Sequence, residues 1–235
     1  MAHPVSAALP TGLQAVLFDM DGTLIDSEEL WWTAECRVMG ECGSSWTRTD
    51  QAHCLGGPLE RVTVYMAEKA GATASPQELG RALLDTMESL LRNDAVLWRP
   101  GALALLRECR DAGMPTALVS ASYRRLLDAV SDSVNHHPGL TRPAFDVTVA
   151  GDEVSRGKPH PEPYLEAARL LGVDIHRCVV VEDSPTGVAS GQASGALVLA
   201  VPHLVGIDAA ARRRVVPSLD GVCLADLVDW VSLTP

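Results

Sequence analysis

From Pro100 onward the chain alternates between short apolar runs and longer amphipathic stretches, and this alternation restricts the fold more than any other feature. Helical periodicity over Leu103 to Ala112 precedes an apolar run at Thr116 to Ser120, and Tyr123 to Val130 precedes Asp146 to Ala150. Glu162 to Leu171 then leads to Cys178 to Val181, and Thr186 to Ala193 to Leu197 to Val201. A last short strand near Val222 to Leu224 and a helix over Leu227 to Val231 are predicted to close the chain. Short apolar runs read as strands buried on both faces, and strands separated by helices pair in parallel through right-handed crossovers. The expected core is α/β, a doubly wound, Rossmann-like parallel sheet.

One further strand precedes this region. Ala15-Val16-Leu17-Phe18 runs directly into Asp19-Met20-Asp21-Gly22-Thr23. Residues two apart on a strand share a side, so Asp19 and Asp21 leave its carboxyl end close together, and their repulsion favours a cation. Gly22 allows a sharp turn and Thr23 adds a hydroxyl. Asp and Gly are also ordinary turn residues, so the pair does not decide the matter alone.

Between that strand and Pro100 the pattern is helical. Ser27 can cap, Glu28 and Glu29 suit a first turn, and Leu30, Trp31, Ala34, Val38 and Met39 recur at helical spacing. Breaks fall at Gly40 to Ser45, Gly56-Gly57-Pro58 and Gly71 to Pro76, around amphipathic segments Leu59 to Ala70 and Pro76 to Leu91. Two parts are expected: a core of residues 1–25 and 97–235, and an inserted α-helical cap of residues 26–96. The linkers Leu24 to Ser27 and Leu97 to Gly101 permit a hinge between them.

Three more predicted strands end on polar residues. Ser120 closes one, beside the free N–H groups of the next helix. Lys158 follows another, just before a helix begun by Pro161 and Glu162. Glu182-Asp183 closes a third. Each has an ordinary explanation as a cap or a solvated charge, but together they fall on the edge where doubly wound sheets hold their ligands.

Composition bounds the partners. The chain has 235 residues, is 47% hydrophobic and 21% charged, and carries a net charge of −11, which argues against nucleic acid and anionic membranes. An anionic substrate must then be met by local positive charge, and Lys69 and Lys158 are the only lysines. Six cysteines without C-x-x-C spacing read as reduced thiols, and no secretory leader or membrane-length apolar run is visible. A cytoplasmic protein, monomeric by default, is expected. Asn135 to Gly139 reads as a loop, its adjacent histidines lacking a third metal ligand.

Phe18-Asp19-Met20-Asp21-Gly22-Thr23-Leu24 resembles the first motif of the haloacid dehalogenase superfamily, and Ser120, Lys158 and Glu182-Asp183 resemble the second, third and fourth. Gly151-Asp152, Lys158-Pro159-His160-Pro161, Gly187 and Gly195 resemble especially the helical-cap subgroup that contains β-phosphoglucomutase and many sugar-phosphate phosphatases. The resemblance implies Mg²⁺-dependent phosphoryl transfer from a small phosphorylated metabolite. Asp19 would be the nucleophile that forms an aspartyl phosphate, and Asp21 the acid and base. Asp19, Asp183 and the backbone carbonyl of Asp21 would hold the metal, with Glu182 acting through water or orientation. Lys158 and Ser120, with N–H groups around Met20 and Ala121, would hold the phosphoryl oxygens, and Thr23 would orient the loop.

The acid at Asp21 separates the chain from dehalogenating members, which lack one there. Lys69, the one candidate for the Schiff base of phosphonate cleavage, reads instead as a solvated lysine near a helix end. Mutases of the subgroup carry a cap loop resembling G-V-S-R. The corresponding stretch Leu55-Gly56-Gly57-Pro58-Leu59-Glu60-Arg61 lacks the serine and displaces the arginine, which favours a phosphatase. Gly57 and Arg61 are the substrate-binding candidates of the cap, beside Trp31 and Trp32.

Overall fold

The computed structural model describes residues 12–54, 58–71, 74–93, 97–140 and 143–234. In chain order the elements are β1 (Ala15–Phe18), α1 (Glu28–Glu41), α2 (Arg48–Cys54), α3 (Leu59–Lys69), α4 (Pro76–Asn93), α5 (Ala102–Asp111), β2 (Thr116–Val119), α6 (Arg124–Asn135), β3 (Val147–Val149), α7 (Glu162–Leu171), β4 (Cys178–Glu182), α8 (Pro185–Ser194), β5 (Leu197–Ala200), β6 (Arg213–Val215) and α9 (Leu224–Leu233). All pairings in the six-stranded sheet are parallel, in the order β3-β2-β1-β4-β5-β6. β1 and β4 are central and fully buried, which is why their sequences are continuous apolar runs.

Alternation along the strands separates two faces. Ala15, Leu17, Ala117, Val119, Cys178, Val180 and Val198 join Tyr164 and Ala167 of α7 and Val188 of α8 in one buried cluster. α8 approaches the sheet so closely that a Cβ on Gly191 would stand 3.0 Å from Val180 and Val198 methyls. Deep burial pushes the Cys109 and Cys178 thiols up to about 12, so neither is a nucleophile near neutral pH. A partly buried polar knot joins α5 to β2 and to the residue before β3: Arg110 donates to Thr116 Oγ1 at 2.9 Å and Asp146 Oδ2 at 2.5 Å, and the Thr116 N–H also reaches Asp146 at 2.9 Å.

The chain forms two compact units, one of residues up to Asp26 with those from Leu97 onward, the other of residues 27–96. Where the chain leaves and re-enters the first unit its two segments pair. Ile25 bridges Trp98, Asp26 N–H donates to Leu97 carbonyl at 2.8 Å, and Arg99 N–H donates to Leu24 carbonyl at 3.0 Å. The second unit is all helical among its described residues, with Leu79, Leu83, Met87, Leu90 and Leu91 of α4 buried. Two buried carboxylates stand in it. Asp50 accepts from Lys69 at 2.5 Å and Tyr65 at 2.7 Å, with Thr47 N–H and Oγ1 on its other oxygen. Glu35 accepts from the Trp46 indole at 2.8 Å, and burial pushes it up to about 7.

Several expectations change. The last strand is Arg213–Val215, beside β5, rather than Val222 to Leu224. It lies at the sheet edge with its residues partly exposed, where charged side chains are tolerated, and its two arginines hide it from an apolar search. Val222 and Cys223 lead into α9 instead, whose Asp226 accepts the Cys223 N–H at 2.9 Å. Lys69 is the partner of Asp50, not a solvated charge. Ser27 stands at the N-cap of α1 without a side-chain capping bond. α6 runs on to Asn135, beyond Val130. His136 Nδ1 lies 2.7 Å from Asp132 carbonyl, and the His137 ring stands edge-on to Trp98 at 5.7 Å.

Candidate active site

The carboxyl ends of β1, β2 and β4 and the loop after β3 deliver the polar residues to one place. Asp19 N–H continues the pairing with β4 by donating to Val181 carbonyl at 3.0 Å, which carries the Asp19 side chain alongside Glu182 and Asp183. Carboxylate oxygens of Asp19, Glu182 and Asp183 lie within 4.8 Å of one another, and all three residues are buried. Lys158 enters from the loop before α7. Its ammonium donates to Asp19 Oδ1 at 2.6 Å, Glu182 Oε1 at 2.7 Å and Val119 carbonyl at 3.0 Å. Three acceptors match its three protons. The loop carrying it is fixed from α8, where Ser190 donates to His160 carbonyl at 2.6 Å.

Glu182 is held on both oxygens. Oε1 also accepts from the Tyr164 hydroxyl at 2.9 Å, while Oε2 takes Asp183 N–H at 3.0 Å, Ser184 N–H at 3.2 Å and Ser184 Oγ at 3.2 Å. A Cβ on Gly187 would stand 1.7 Å from Glu182 Oε1, so only glycine permits the close approach of α8. Asp183 accepts from Thr23 Oγ1 at 3.3 Å, which ties the turn after β1 to the end of β4. Gly22, at φ 82°, turns the chain there.

The Asp21 carboxylate stands apart from the acidic trio. It accepts from Ser122 Oγ at 2.9 Å and from Ser120 Oγ at 3.5 Å, while Ser120 Oγ itself accepts the Ser122 N–H at 2.9 Å. Met20 is buried, and its carbonyl closes the turn by accepting the N–H groups of Leu24 and Ile25 at 2.9 and 3.1 Å. Ala121 is exposed, and its carbonyl lies so close to Gly151 that a Cβ there would be 2.2 Å away. Arg61 belongs to the helical unit, where it donates to Cys54 carbonyl at 3.3 Å. Gly57 lies outside the described residues.

Three buried carboxylates against one ammonium leave excess negative charge. Burial and the neighbouring Glu182 raise Asp19 well above the carboxylate range, with Lys158 opposing them. Burial and Glu182 likewise push Asp183 up to about 7 against the Thr23 hydrogen bond. Burial works against the Lys158 charge, but Asp19 and Glu182 outweigh it and hold the ammonium above its ordinary value. A set of hard oxygen donors with surplus negative charge fits a hard divalent cation.

Tyr164 is the residue that sequence reasoning missed. It is fully buried, bonds Glu182 and lies under Lys158, whose Nζ is 4.9 Å from the ring centroid. The available signal was a lone tyrosine on the buried face of a helix otherwise filled by alanines, since a buried phenol needs a partner. Ser122 was visible in the motif but had no assigned role.

The haloacid dehalogenase-like hydrolase family model matches residues 13–195. The bifunctional riboflavin kinase/FMN phosphatase of Arabidopsis thaliana is 33% identical over 190 residues, 80% of this chain and 48% of its own, so the chain spans about half the length of that relative. Hexitol phosphatase B of Escherichia coli is 32% identical over 195 residues, 82% of this chain and 85% of its own. Among solved structures, CbbY from Rhodobacter sphaeroides in complex with phosphate superposes with a TM-score of 0.79 at 27% identity, covering 92% of this chain and 99% of that one. A second CbbY structure, in complex with xylulose-(1,5)bisphosphate, has a TM-score of 0.76 at 28% identity over 92% and 99% of the chains. Among the described residues no helix is long and apolar enough to cross a membrane. The chain therefore belongs to the haloacid dehalogenase-like hydrolase family.

Proposed function

We propose that this chain is a Mg²⁺-dependent phosphatase that hydrolyses a small phosphorylated metabolite, a sugar phosphate or similar monoester, through an aspartyl phosphate on Asp19. The observation that carries the reading is the buried trio of Asp19, Glu182 and Asp183, the first two of which pair with Lys158. Asp19 attacks phosphorus, the P–O bond to the alcohol breaks, and Asp21 supplies the proton the departing oxygen needs. Asp21, now a base, takes a proton from water, the water oxygen attacks phosphorus, and phosphate leaves as Asp19 is restored. Lys158 opposes the burial and the Glu182 charge that disfavour the ionised form of Asp19. Ser120, with the N–H groups around Met20 and Ala121, holds the phosphoryl oxygens.

Asp19, Asp183 and the backbone carbonyl of Asp21 would hold Mg²⁺. When bound, the ion neutralises phosphoryl charge that would otherwise repel the attacking carboxylate. Glu182, with both oxygens engaged by hydrogen bonds, acts by orientation, and Thr23 fixes the Asp183 side of the loop. The names of the relatives support a phosphorylated sugar or polyol as substrate. Residues 26–96 are read as the cap that selects it, through Arg61 and Gly57, and the core as 1–25 with 97–235. The free thiols support a cytoplasmic setting, and a monomer completes the reading.

A release assay for inorganic phosphate across hexitol phosphates, sugar phosphates, nucleotides and phosphorylated acids, with and without Mg²⁺, tests this reading. Metal-dependent release on at least one monoester is expected, and Asp19→Asn is expected to lose on the order of 10³-fold or more. Interconversion of sugar phosphates without net phosphate release would assign a phosphomutase instead. No turnover of any substrate with any divalent metal would overturn the enzyme.

A further inference from the structure

β5 lies beside β4, with Ala200 paired to Glu182 and the Val201 N–H on the Glu182 carbonyl at 2.7 Å, so the loop after β5 leaves the sheet next to the acidic pair. That loop carries His203. Its Nδ1 is buried and has no hydrogen-bond partner among the described residues. The nitrogen lies against the turn after β1: a Cβ on Gly22 would stand 3.2 Å from His203 Nδ1 and 2.3 Å from Asp183 Oδ2. One bare Cα thus separates the imidazole from a proposed metal ligand.

Burial of a polar nitrogen without a partner is unfavourable, so a partner that arrives with the working site accounts for its position. Mg²⁺ dehydrates reluctantly and keeps several waters, each with protons that need acceptors. Of the neighbouring acceptors, Glu182 is engaged on both oxygens, and Asp21 Oδ2 accepts from Ser122. Burial and the Arg99 guanidinium hold the His203 imidazole below its ordinary value, with Asp26 opposing, which leaves the ring neutral and able to accept.

We propose that His203 is a positioning residue for the divalent cation, its Nδ1 accepting a hydrogen bond from the ion's hydration shell on the Asp183 side. The inference rests on the assignment of Asp19 and Asp183 as metal ligands. It predicts that the loop after β5 helps set metal affinity.

Calorimetric titration with Mg²⁺, alongside thermal unfolding in a chelator, tests it on the wild type and three variants. His203→Ala is expected to weaken Mg²⁺ binding by about tenfold or more, the range for partners that orient metal ligands. His203→Asn, whose amide reaches the place of Nδ1, is expected to stay within about threefold of wild type, and His203→Gln, whose amide reaches the place of Nε2, to behave like His203→Ala. Melting temperatures in chelator are expected to agree within about 3 °C. Unchanged affinity in His203→Ala, equal rescue by Asn and Gln, or a loss of affinity that tracks a fall in the metal-free melting temperature would overturn the proposal. Absence of any Mg²⁺ binding by the wild type would instead remove the metal assignment, and this inference with it.

Discussion

At the scale of single residues the site is a problem in charge. Asp19, the proposed nucleophile, is placed where burial and Glu182 both favour its neutral form, and Lys158 is the counterweight. Asp21 is held by Ser122 instead. In the proposed reaction one aspartate is spent as a nucleophile while the other handles protons. Asp21→Asn is therefore expected to keep a burst of p-nitrophenol from p-nitrophenyl phosphate, because that leaving group needs no proton, while steady-state turnover of alkyl phosphates falls about 10²- to 10⁴-fold. Rapid-mixing kinetics checks this; loss of burst and turnover together would give Asp21 a different role.

At the scale of elements, strand ends and helix starts set the geometry, and this level was the most legible in the sequence. Asp19, Lys158 and Glu182-Asp183 could be found because each interrupts an apolar run or opens a helix, and the period of the runs fixes the edge they share. Tyr164 could not be, since its role depends on its hydroxyl reaching Glu182 at the end of β4 from α7, a contact between residues 18 apart that no local pattern encodes. β6 was invisible for the opposite reason: Arg213 and Arg214 look like a surface loop until Val198 and Ala200 pair with that segment. In the helical unit the informative element is α1, which buries Glu35 against Trp46. An acid raised to about 7 when folded is favoured while protonated, so its contribution is present below the ordinary carboxylate range and lost as pH rises through about 7. Glu35→Gln is expected to raise stability by less than about 1 kcal/mol near pH 5 and by on the order of 3 kcal/mol near pH 8, measured by urea unfolding at both values. A gain that does not depend on pH would refute the titration of Glu35.

For the whole molecule, protons and metal compete for the same carboxylates. Asp183, pushed up to about 7, and Asp19, raised well above its ordinary value by burial, both hold protons better in the folded protein than in the unfolded chain. Metal-free stability from these groups therefore declines as pH rises, and Mg²⁺, which on the proposed assignment needs them ionised, is expected to reverse the decline. The rise in melting temperature caused by saturating Mg²⁺ is expected to be larger at pH 8 than at pH 6, and equal shifts at both would contradict the assigned ligands. The paired neck at Ile25–Trp98, Asp26–Leu97 and Leu24–Arg99 bears on how such a protein can change. Because the excursion over residues 27–96 starts and finishes on adjacent, mutually bonded backbone, the segment is a natural cassette. Exchange for a helical insert of another length, spliced at those two points, would leave the six strands in register, so new specificities could be grafted onto unaltered chemistry.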